Sequence, residues 1–152
     1  MPDSARDADR LHGRGPLDLG GWVGLGGLVF IALGALLPWS EADVLFFHLT
    51  AKGTDGDGVI TLVAVGVGVA LFGLVKTRAA RGLLLVLAAV TSGAVALYNA
   101  VNLEHTARQL AGSPIPVHTR AGIGLWLTGI GAVLALSGGL LLLIEARRAA
   151  KT

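Results

Sequence analysis

Residues 19–37, LGGWVGLGGLVFIALGALL, hold no charged side chain over 19 positions. Wound as an α-helix at 1.5 Å per residue, this run is about 28 Å long, close to the hydrocarbon thickness of a bilayer. Three more apolar runs follow, at 59–75, 82–101 and 123–144. Charged or helix-breaking residues separate them. Between the first two runs, residues 39–58 carry four carboxylates and one Lys, which marks an aqueous loop. Lys76-Thr77-Arg78-Ala79-Ala80-Arg81 is so tight a basic turn that the runs on either side must form an antiparallel hairpin. The pattern predicts an all-α membrane protein, a left-handed antiparallel four-helix transmembrane bundle.

Composition agrees. Over 152 residues, 53% are hydrophobic and only 14% charged, and the mean hydropathy is +0.72. A water-soluble domain of this size has too little interior to hide so much apolar surface. The net charge of +2 comes from short basic clusters beside apolar runs, not from a stripe interleaved with aromatics. Such clusters act as topology signals and argue against nucleic acid as a partner. The chain has no cysteine, which removes disulfides, thiolate catalysis and Cys-based zinc sites together. A preference for Ala, Gly, Leu, Val and Arg over Ile, Lys and Asn suggests a GC-rich bacterial genome.

Residues 1–17 are polar and rich in Arg, Asp, Gly and Pro, and read as a disordered cytoplasmic tail rather than a signal peptide. Residues 18–146 form the transmembrane domain, and 147–152 a basic cytoplasmic tail. The outer loops, 39–58 and 102–121, are expected to make a small extracytoplasmic cap with a short β-hairpin or sheet. In it a strand at 44–50, rich in β-branched and aromatic residues, pairs with a second near 115–119. Beyond the third span, LEHTARQLAG is expected to continue for one or two exposed helical turns, until Gly112, Pro114 and Pro116 intervene.

Orientation follows from the basic residues. Arg6, Arg10, Arg14, Lys76, Arg78, Arg81, Arg147, Arg148 and Lys151 fall on one side, and only Lys52, Arg108 and Arg120 on the other. Both termini therefore belong in the cytoplasm of a bacterial plasma membrane. Trp22 falls near the inner boundary, and Trp39, Phe46, Phe47, Tyr98 and Trp126 near the outer one, where amphipathic rings act as anchors.

In lipid, helices come together where small residues recur one turn apart. The third span offers Ala88, Ser92, Ala96 and Ala100, and the fourth Gly131, Ala135 and Gly139. The first offers Gly20, Gly24, Gly27 and Gly34, and the second Gly66, Ala70 and Gly73. These rows serve packing within one chain or between chains, and the sequence leaves that choice open.

Sites for chemistry are sparse. No acid, base or cation lies inside a span. The embedded hydroxyls, Thr61, Thr91, Ser92, Thr128 and Ser137, are expected to bond back to the preceding helical turn. Gly24-Leu-Gly-Gly27 and Gly122-Ile-Gly124 lack the flanking strand and Lys-Ser/Thr of a phosphate loop. Asp55-Gly-Asp-Gly58 alternates carboxylates, but the remaining ligand positions of a calcium loop are apolar, so it reads as a turn into the second helix. His48, His105 and His118 share the outer side with Glu41, Asp43 and Glu104 and are the weak candidates for a metal or for pH response, although none has ligand spacing. No hydrolase motif is present, and neither catalysis nor a cofactor is expected.

Leu37-Pro38-Trp39, Gly53-Thr-Asp-Gly-Asp-Gly58 and Gly122-Ile-Gly-Leu-Trp-Leu127 together resemble motifs of small uncharacterised four-span membrane proteins of actinobacteria. The resemblance covers most of the chain after residue 17 and implies no activity. A looser likeness is to claudin-type proteins, four-span with a sheet-forming first outer loop. Here Gly124-Leu-Trp126 opens the fourth helix instead, and the paired cysteines of that loop are missing. Small four-helix multidrug exporters have the same span number but depend on a Glu in the first helix, which this chain lacks.

The expected role is a non-catalytic envelope scaffold or accessory subunit, embedded in the lipid bilayer and presenting its cap to another membrane protein or to a second copy. Phe46, Phe47, Trp39 and Trp126 are its expected interaction residues. The alternative is a metal- or pH-responsive sensor or transport component acting through the three outer histidines.

Overall fold

The computed structural model describes residues 19–44, 47–56, 58–110 and 117–151, with the backbone alone described for Val44, Phe47, His48, Asp55, Leu110, Val117 and His118. In chain order the elements are helix α1 (Leu19–Leu36), strands β1 (Pro38–Val44) and β2 (Phe47–Lys52), and a 3₁₀ turn (Gly53–Asp55). Helices α2 (Gly58–Leu74) and α3 (Arg78–Leu110), strand β3 (Val117–Ala121) and helix α4 (Ile123–Ala149) follow. The protein is mostly helical with one small sheet. α1, α3 and α4 are each long and apolar enough to cross a membrane, and α2 is a shorter apolar helix. The expected tail at 1–17 lies outside the described residues.

α1 and α4 make the tightest seam. They run antiparallel, with Gly20, Gly24, Gly27 and Gly34 against Gly138, Gly131 and Gly124. A Cβ at Gly27 would lie 2.4 Å from the Ala135 nitrogen and 2.7 Å from the Gly131 carbonyl oxygen, so the two backbones touch directly. Glycine is what allows that distance, and close backbone approach raises the dispersion contact that replaces hydrophobic drive in lipid. α3 closes the third side. Its Leu85 lies over Gly24, where a Cβ would meet the leucine methyl at 2.3 Å, and its Gly82 abuts the Gly139 carbonyl. Leu28, Ile31, Leu85 and Ala135 are fully buried where the three helices meet.

α2 packs differently. Its buried positions are Gly58, Thr61, Val65, Gly68 and Phe72, one stripe at three- and four-residue spacing. The expected packing row Gly66, Ala70, Gly73 instead faces outward, and a Cβ at Gly66 or Gly73 would meet no described atom within 4 Å. The apolar side chains Val65 and Phe72 fix which face turns inward, because they have more apolar surface to bury than glycine or alanine. The turn into α3 is closed by Arg81, whose Nε–H donates to the Val75 carbonyl at 2.8 Å while its guanidinium sits 5.2 Å from the Phe72 ring centroid.

Two helix ends differ from expectation. α3 starts in the basic turn at Arg78 rather than after it and runs 33 residues, about 50 Å, its last turns projecting past the apolar span through LEHTARQL as expected. α4 continues through Glu145, Arg147 and Arg148 to Ala149, so the first half of the expected basic tail is helical. Cations at a helix C-terminus meet the negative end of its dipole, which favours that extension.

Candidate functional site

The cap is built at the junction of α1 and β1. Proline disfavours helix in the residue before it, and α1 ends at Leu36, just ahead of Leu37-Pro38. Trp39 then turns inward. It is 6% exposed, and its indole N–H donates at 2.9 Å to the Gly34 carbonyl, which also accepts from the Leu37 N–H at 3.2 Å, so the last helical turn is closed by two donors. Gly53 packs on the indole, where a Cβ would be 2.5 Å from Nε1. Backbone bonds from Gly53 N to Leu37 O, 3.3 Å, and from Gly122 N to Trp39 O, 2.8 Å, tie β2 and β3 to this point. Trp39, expected at an interaction surface, is therefore an internal anchor, because its N–H has a buried partner and its ring a glycine-lined slot.

The sheet has the order β2-β1-β3, antiparallel throughout. The expected strand 44–50 is instead divided between β1 and β2, with Val44 opposite Phe47, and β3 pairs with β1, meeting the expected strand only at Val44. Glu41 and Asp43, read as loop residues, belong to the central strand. Alternation explains this: residues two apart share a face, so both acids fall on one side of β1.

Register then groups side chains that sequence spacing keeps apart. Glu41 stands between Thr50 and Arg120, and Arg120 Nε donates to Glu41 Oε2 at 2.8 Å. Two residues further along, Asp43 has His48 and His118 as its partners in backbone register, one residue from each strand. His105 stands apart, on the exposed extension of α3 near the Glu104–Arg108 ion pair. Among the described residues no three His, Asp or Glu side chains gather as a metal site. Phe46 lies outside the described residues, and Phe47 is placed only by its backbone pairing with Val44. Trp126, on the first turn of α4, is 69% exposed.

Of the residues expected at helix contacts, Ala88, Ser92, Ala96, Gly131, Ala135 and Gly139 are all buried. The embedded hydroxyls divide. Thr128 and Ser137 donate to the carbonyls of Gly124 and Val133, at 2.9 and 2.8 Å, but Thr61 and Ser92 are fully buried with no partner among the described residues. Thr61 sits in the first turn of α2, where no helical carbonyl lies four residues behind it.

One feature escaped the sequence pattern. An apolar groove of about 520 Å³ lies between α3 and α4, and Leu125 joins it to a small pocket lined by Ser40, Asn99, Asn102 and Thr106. Small residues on two helices signal contact in sequence, but not that the helices diverge and leave a trough. Comparison with models of known protein families gives no match, and comparison with curated proteins gives none either.

Proposed function

We propose that the chain is a non-catalytic accessory or scaffold protein of a bacterial cytoplasmic membrane. It crosses four times, has both termini in the cytoplasm and presents the three-stranded cap on the outer side to another membrane protein. The observation that carries this reading is the separation of chemistry along the bundle. Outward-facing side chains of the helices, such as Val29, Val63, Leu87, Val133 and Leu140, are apolar. At one end lie Lys76, Arg78, Arg81, Arg147, Arg148 and Lys151, and at the other the sheet with Glu41, Asp43 and Arg120. α2, at 17 residues and about 26 Å, is at the short limit for a crossing, and its outward valines favour lipid over water. The likeness to small four-span actinobacterial proteins belongs to the same proposal.

The test is extraction from the native membrane in mild detergent, with mass spectrometry of what co-purifies. A stoichiometric protein partner, lost when Phe46 and Phe47 are both replaced by Ser, supports the reading. A partner set unchanged by that double substitution removes its basis.

A second reading is favoured by the register. His48 and His118 pair in backbone register with Asp43 from the two flanking strands, which puts two titratable residue types beside one carboxylate-bearing position. Replacing His48, His105 and His118 together tests it. Unchanged metal content and unchanged pH response of the purified chain would dismiss a sensor role.

A further inference from the structure

The groove between α3 and α4 has a defined depth. At the basic end of the bundle the helices are in backbone contact, a Cβ at Gly82 falling 2.8 Å from the Gly139 carbonyl oxygen. By Gly93 the spacing has relaxed to ordinary contact, 3.5 Å from Ala132 Cβ, and a Cβ at Gly129 would meet no described atom within 4 Å. The trough opens there and runs toward the sheet. From Ala89 to Ala100 on α3, and from Leu125 to Leu136 on α4, it advances eleven residues, about 16 Å. Half of a 30 Å hydrocarbon layer is about 15 Å, so the groove is as deep as one leaflet.

Its lining changes character at the mouth. Within the trough the walls are Val90, Leu97, Trp126 and Val133, over a floor of glycine and alanine. At the top, Leu125 is shared with the polar pocket of Ser40, Asn99, Asn102 and Thr106. Asn99 donates one amide hydrogen to the Val95 carbonyl at 2.9 Å, and Thr106 donates to the Asn102 carbonyl at 3.0 Å, so both retain acceptor capacity. None of the residues lining that pocket carries a formal charge; Lys52 lines an adjoining pocket that shares Trp39, Ser40 and Asn99 with it, outside the mouth of the groove.

From this complementarity we infer that the groove holds one acyl chain of a lipid from the cap-side leaflet, with the lipid's uncharged glycerol-ester junction seated against Asn99 and Asn102. Amides both donate and accept, which suits esters and hydroxyls, whereas a phosphate would call for Arg or Lys. A helix from a second copy fits less well. It would seek a trough along the whole span, and it presents no polar group where the lining turns polar. The inference rests on the membrane-spanning reading above.

The full chain, equilibrated in mild detergent with dioleoylphosphatidylcholine and weighed by native mass spectrometry, provides the test. One lipid per chain is expected on the unmodified protein and on Gly66→Leu, which adds bulk at an outward position of α2. Gly129→Leu, which fills the groove, and Asn102→Leu, an exposed change at its mouth that spares the core, are each expected to lower retention about tenfold or more. Absence of lipid from the unmodified chain, or equal retention in Gly129→Leu and Asn102→Leu, would overturn the inference. So would a lipid-free dimer that Gly129→Leu dissociates. Alkaline carbonate separates the two readings: a chain that stays in the membrane without a bound lipid refutes this inference alone, and a chain released by carbonate refutes both.

Discussion

The α1–α4 seam and the outer face of α2 are both rich in glycine, yet the residue means opposite things in the two places. At Gly27, Gly131 and Gly138 the missing side chain is the contact, since backbone from the facing helix occupies the space a Cβ would need. At Gly66 and Gly73 the missing side chain leaves only open surface. Small-residue spacing is thus a sign of packing only where the neighbouring helix is already close. Between these extremes, α2 adheres through ordinary side chains, Val65 and Phe72, on a single stripe.

The comparison is broken most directly at Gly27. Gly27→Ala is expected to cost about 3 kcal/mol, the upper end of overpacking penalties, because rigid backbone rather than a movable side chain stands in the way. Thermal unfolding in detergent measures this, and a loss below about 1 kcal/mol would mean the seam is looser than described. Trp39→Phe comes next. It keeps most of the ring but removes one of the two donors to the Gly34 carbonyl, the Leu37 N–H remaining, and the expected loss is about 1 kcal/mol, read in the same assay with cap-localised hydrogen exchange.

Two substitutions are expected to stabilise. Ser92→Ala removes a buried hydroxyl that has no partner among the described residues and is expected to raise stability by about 1 kcal/mol. A loss instead would reveal a hydrogen bond to that hydroxyl. Gly66→Ala gains helix propensity with no clash, up to about 1 kcal/mol, and its contrast in sign with Gly27→Ala is the sharpest form of the comparison.

The sequence made the long spans legible because charge-free runs with charged borders have few other stable solutions. It also placed Ala88, Ser92, Gly131 and Ala135 on buried faces, since their spacing matches the helical repeat. It misplaced the row on α2, where burial is decided by Val65 and Phe72 rather than by the small residues. The sheet was half legible. β-branched and aromatic content marked 44–50 as extended, but Leu45 and Phe46 carry none of the Gly, Asn or Pro signals of a hairpin, so the division into two strands was hidden. Glu41 and Asp43 masked β1 for a related reason: two acids in a row of seven read as loop until their shared face is known. The row of His48, Asp43 and His118 exists only through strand register, which no spacing in the chain reports.

The central claim is that α2 crosses the membrane and puts the sheet and the basic turn on opposite sides. The chain has no cysteine of its own, so single substitutions at exposed Thr50, Thr77 and Lys151 are clean reporters of sidedness. In intact cells treated with a membrane-impermeant maleimide, Thr50→Cys is expected to be labelled at once, and Thr77→Cys and Lys151→Cys only after permeabilisation. Labelling of Thr77→Cys from outside, together with Thr50→Cys, would contradict the four-span topology and leave α2 as a helix that does not cross.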